Sequence, residues 1–229
     1  VDIAITDSPG FSKLDIRFQE GEQLFAQPKS MVCMTTGFTI KAYIGGASGV
    51  AGVVSGVKSM LSGESFATTV YTAKRSGETL SLAPSNIGEI VVIDLDGTTG
   101  YFITKGAYLA HEGTIHLEAT YGGMKGIITK KGLFLLKATG KGKLFISSYG
   151  AVVKRTLQAQ ELLVVDNEYV LAFTDTLRYE LRAATTNLKD SFMSGEGLVN
   201  RYEGPGELMY QTRSRQRSGI ASTLFNMAT

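Results

Sequence analysis

The chain is short of the residues that most chemistry needs. It has one cysteine, two histidines, four prolines and no tryptophan among 229 residues. A single cysteine, Cys33 in an apolar run, excludes an intrachain disulfide framework and any zinc site of several thiolates. It reads as a small buried hydrophobe. His111 and His116 are too few for a multi-histidine metal set, so no metal or cofactor is expected. Charged residues make up only 19% of the chain, below the usual quarter. No apolar run is long enough to cross a membrane. The longest uncharged stretch, Ala42 to Val57, has 16 residues and is interrupted by five glycines. The first residues, VDIAITDSPG, carry two acids and no basic leader pattern, so a cytoplasmic location is expected.

What the chain does have is glycine, at 27 residues, and many short β-branched and aromatic runs. EIVVIDLDG, TIHLEA and TLRYELRA alternate or run apolar over a few residues and end at Gly, Asn, Asp or Ser. That is the pattern of an all-β protein with tight turns. Its 229 residues suffice for one large body.

Three stretches read alike: residues 24–43, 101–121 and 162–181. Lys105 to Ala110 falls on Asn167 to Ala172, and both fall on Lys29 to Met34. The segments that start at Gly63, Lys131 and Gly195 also match, each with a strand, a glycine-bearing turn and a strand. Two repeats are then complete, 63–121 and 131–183. A third is split between 195–214 and 14–43. This pattern predicts one all-β body over 1–214, closed and pseudo-threefold, with its ends paired and a basic, then apolar, tail over 215–229.

Charge is uneven along the chain. Residues 119–160 hold Lys125, Lys130, Lys131, Lys137, Lys141, Lys143, Lys154 and Arg155 and no acid. With Tyr121, Phe134, Phe145 and Tyr149 interleaved, the first six lysines form a candidate anion or RNA face. The plainer reading scatters them over turns and outer faces, and a linear run says nothing about a common face. Asp94 and Asp96 share one face of a strand and read as solvated, not as a cation site. The glycine-rich linker 44–62 is the candidate partner loop, through Val50, Val53, Val54, Val57, Met60 and Leu61. No nucleophile elbow, P-loop or dinucleotide fingerprint is present, which argues against an enzyme.

The elements APSNIGEI (Ala83 to Ile90), KGAYLA, GLFLLKATGKGKLFISSYGA and SGEGLVNRYEGPGELMYQTRS resemble the altered-inheritance-of-mitochondria family, the twenty-fourth of that series. The resemblance covers about residues 12–214. Lys130-Lys131-Gly132 departs from the family's usual GEG-type start of the second repeat. The resemblance implies a triplicated fold like the tryptophan RNA-binding attenuation protein, of double-stranded β-helix type. It implies no catalytic residues, and for mitochondrial members a link to inner-membrane organisation. The expected function is therefore a non-catalytic interaction or scaffold protein, with a protein partner or self-association. The alternatives are an RNA- or anion-binding module and an enzyme. Sequence does not name a small-molecule ligand.

Overall fold

Alternation sets the local structure. Lys13–Arg17 reads KLDIR and turns Leu14 and Ile16 inward, both at most 2% exposed. A computed structural model describes residues 1–44, 67–104, 106–122, 133–183 and 198–214. Every regular element among them is a strand, and every strand pairing is antiparallel.

The first strands are β1 (Asp2–Thr6), β2 (Lys13–Arg17), β3 (Gln23–Ala26), β4 (Met31–Met34), β5 (Phe38–Ile44), β6 (Ala67–Ala73) and β7 (Thr79–Leu82). The middle four are β8 (Ile90–Asp96), β9 (Tyr101–Thr104), β10 (Tyr108–Gly122) and β11 (Leu133–Ser147). The last six are β12 (Val152–Leu157), β13 (Leu162–Asp166), β14 (Val170–Thr174), β15 (Arg178–Ala183), β16 (Leu198–Glu203) and β17 (Gly206–Gln211).

The pairings follow one scheme. β2 and β4 flank β7, while β3 and β5 flank β6. In the same way β12 and β14 flank β17, while β13 and β15 flank β16. In the middle, β11 replaces two strands with one. Its first half pairs β9, its second half pairs β8, and β10 runs along both halves. Glycine makes the uninterrupted run sterically feasible. Gly140 has φ +103°, and a Cβ there would lie 2.1 Å from the Thr114 carbonyl oxygen. Where the outer units break their strands, the middle unit bends them through glycine.

Each unit has its own core. One gathers Leu14, Phe18, Leu24 and Leu80, the second Leu95, Ile103, Leu136 and Leu144, the third Leu157, Phe173, Tyr202 and Leu208. Leu80, Leu144 and Leu208 stand opposite Met34, His111 and Phe173 in their registers, and none is more than 1% exposed. The first turn of each outer unit is also built alike. The amide of Gln19 donates to the Glu22 carboxylate at 2.7 Å, and that of Gln158 donates to Glu161 at 2.9 Å. The residue between takes left-handed backbone in both, Gly21 at φ +82° and Gln160 at φ +69°.

Two expectations are corrected here. The stretch 195–214 was expected to complete a repeat with 14–43. Instead β16 and β17 pair with β12–β15, and β2–β5 pair with β6 and β7. Pairing inside one contiguous stretch closes shorter loops and loses less chain entropy. Nor do the described strands close on themselves. The ten-stranded sheet runs β12-β17-β14-β9-β11-β10-β3-β6-β5, with β8 also on β11, and its end strands β12 and β5 do not pair with each other. Two separate sheets, β1-β2-β7-β4 and β13-β16-β15, complete the body.

Candidate interaction surfaces

The units are joined strand to strand. At the first junction β10 lies beside β3, with Ala110 opposite Ala26 and His111 opposite Phe25. At the second, β14 lies beside β9, with Ala172 opposite Ile103 and Phe173 opposite Phe102. Each junction therefore sets a small residue against a core residue, then a ring against a ring. The Phe25 and His111 rings stack at 4.7 Å, and the Phe102 and Phe173 rings lie 5.2 Å apart. The Tyr108 hydroxyl donates to the Phe25 carbonyl at 3.1 Å and lies 2.8 Å from His111 Nδ1. Burial, with a smaller contribution from the charge of His116, pushes the His111 imidazole down to about 4.

Both joining strands carry a register shift just before the junction, between Tyr108 and Ala110 and between Val170 and Ala172. The residues passed over are Leu109 and Leu171. Leu109 enters the core of the first unit and Leu171 the core of the middle unit, so each crosses into the preceding unit. β4 carries the same shift, between Met31 and Cys33. Met31 thus corresponds to Tyr108 and Val170, one residue away from the sequence alignment.

β4 and β13 end their sheets, and their outer edges have no strand beside them among the described residues. Apolar residues lie exposed on both: Val32 at 57% and Met31 at 41% on β4, Val164 at 56% and Leu162 at 54% on β13. Cys33, expected to be buried, is exposed on the same strand. Sequence reasoning missed these strands as a surface, because their apolar content is that of any core strand. The missed signal was comparative: the first and last units lack a neighbour on one side.

The lysines of β11 meet acids across the sheet. On β11, Lys137 stands opposite Glu118 and lies 3.4 Å from Asp175. Lys141 stands opposite Asp96, and Lys143 stands between Glu112 and Asp94, with its ammonium 2.5 Å from the Asp94 carboxylate. That hydrogen bond raises the Lys143 pKa. The chain's separated acids and bases thus become neighbours across strands. Lys125, Lys130 and Lys131 fall outside the described residues, as do Val50, Val53, Val54, Val57, Met60 and Leu61 of the partner loop. Asp96 accepts from the amide and hydroxyl of Thr98 and from the amide of Thr99, which hold its pKa down. It serves the turn. Among the described residues no three His, Cys, Asp or Glu gather as a metal group, and no helix is long and apolar enough to cross a membrane.

Comparison with known proteins places this architecture. The family model described as Mitochondrial biogenesis AIM24 matches residues 3–213, and the chain belongs to that family. An uncharacterised protein of Streptococcus pyogenes serotype M6 is 31% identical over 234 residues, covering 96% of this chain and 88% of the relative. A crystal structure of a Streptococcus pyogenes protein, 29% identical, covers 99% of each chain with a TM-score of 0.77.

Proposed function

We propose that this member of the AIM24 family is a non-catalytic scaffold: a triplicated β body that acts by association. The repeated pairing scheme of β2–β7, β8–β11 and β12–β17 supports triplication of the double-stranded, attenuation-protein-like kind. The observation that carries the associative role is the exposure of Met31, Val32, Leu162 and Val164 on two unpaired strand edges. Unprotected apolar edges invite pairing and aggregation, and soluble proteins usually cover or charge them. Here neither strand carries an outward lysine or a proline at those positions. A partner strand is the simplest cover.

Native mass spectrometry of the protein gently purified from its own source tests this reading. The expected species is heavier than one chain, through further copies or a second polypeptide in fixed ratio. The bare chain alone, at all concentrations up to those in the cell, would overturn the associative role.

A further inference from the structure

We propose that the partner of these edges is a second copy of this chain, with β13 of one molecule pairing antiparallel with β4 of the next. This rests on the associative reading above and names its partner. The argument is continuity with the two junctions already built into the chain.

In both junctions the donor of the joining edge is the strand corresponding to β4, and the acceptor is the strand corresponding to β3. β10 joins β3, and β14 joins β9. Two members of these series are left over, β4 at the start and β13 at the end, and they are the two halves of one further junction. Other unpaired edges do not have this property. β5 and β15 are sheet ends, and the matching outer edge of β10 beyond His111 has no partner strand, so that edge is alike in all three units among the described residues.

The side chains agree position by position. The small residue of the junction is Ala110, then Ala172, and in β4 it is Cys33. The ring or long apolar side chain after it is His111, then Phe173, and in β4 it is Met34. The residue that crosses into the preceding core is Leu109, then Leu171, and in β4 it is Val32, which is 57% exposed because no unit precedes it. On the acceptor side Phe25 and Phe102 correspond to Val164, and Ala26 and Ile103 to Val165. The register follows: Cys33 opposite Val165, Met34 opposite Val164, and Thr35 opposite Leu163 of the next copy. Such an interface is head-to-tail, so it builds a ring or an open chain and not a two-fold dimer.

The full chain with Val165→Cys, which leaves Cys33 as its only other thiol, tests the register. A short bismaleimide is expected to link it into species of two or more chain masses, and Cys33→Ser in that background is expected to abolish the links. Because Val165 is a core residue, Thr35→Cys with Leu163→Cys in a Cys33→Ser background provides an independent pair. Sedimentation of the unmodified protein is expected to show concentration-dependent association, weakened at least about tenfold by Val32→Lys, since a charge placed in an apolar contact costs about 1.4 kcal/mol or more. Three results would overturn the proposal. One is a monomer at every concentration tested. Another is cross-linking confined to products of single-chain mass. The third is a source-purified complex in which a different polypeptide shields Cys33 from maleimide, a result that leaves the associative reading intact.

Discussion

Strands β2–β7 and β12–β17 are paired in the same scheme, yet the same strand meets opposite surroundings in the two. β14 is buried along its whole length, while β4 is exposed at three of its four residues. Local sequence does not account for this: VLAFT and MVCM are both apolar runs. The difference is what stands beside them. β14 has β9 as a neighbour, and β4 has none among the described residues. Burial in this protein is a property of position in the array as much as of the strand.

The sharpest break of that comparison is a pair of truncations at matched positions. Phe173 is fully buried, with ring neighbours Tyr179 at 4.9 Å, Tyr202 at 5.1 Å and Phe102 at 5.2 Å. Phe173→Ala is expected to cost about 3–5 kcal/mol of unfolding free energy. Met34→Ala, at the matching place in β4 and half-buried against the first core, is expected to cost about 1–2 kcal/mol in the dissociated chain. Urea titration of both variants measures the gap, and equal costs would mean that position in the array does not decide burial.

The middle member of the series adds a pH dependence the other two lack. His111 titrates near 4 in the folded chain against about 6.5 when unfolded, because burial disfavours its charged form. A lowered folded value means that its contribution is complete above about pH 6.5 and is lost as pH falls toward 4. The loss amounts to about 3 kcal/mol over that window. His111→Met, which installs the residue found in β4, is expected to flatten stability against pH between those limits. An unchanged slope would assign the dependence elsewhere.

The smallest effect concerns the two matched turns. Gln160 holds left-handed backbone where Gly21 does so without a side chain. Gln160→Gly is expected to stabilise the fold by about 0.5 kcal/mol, the relief of a left-handed Cβ less the added freedom of the unfolded chain. Thermal unfolding would show a small upward shift, and a downward one would mean that the Gln160 side chain makes a needed contact.

Much of the body was legible. The runs EIVVIDLDG, TIHLEA and TLRYELRA lie in β8, β10 and β15, and Tyr108 and Val170, aligned in the sequence, take like places at the register shifts of β10 and β14. The match to β4 slipped by one residue: all three strands carry the same bulge, and only their register against the partner strand sets Met31 with Tyr108 and Val170, since an apolar run of near-equivalent residues does not fix its own phase. The strand pairings group the chain half a unit away from the expected division. Both divisions contain the same strands in the same cyclic order, and only pairing distinguishes them. The ion-pair partners of the basic segment were hidden for a related reason. Glu118, Glu112 and Asp94 are remote from Lys137 and Lys143 along the chain and adjacent to them across the sheet.

The two 15-residue middle strands, β10 and β11, have a consequence for how the molecule opens. Through Ala110 and His111 this hairpin holds the first unit, and β9, lying along β11, holds the last. Each outer unit borders one neighbour, whereas the hairpin is held from both sides and is expected to let go last. Amide protons should therefore exchange from the ends inward, with those of the middle hairpin the last to be replaced by solvent.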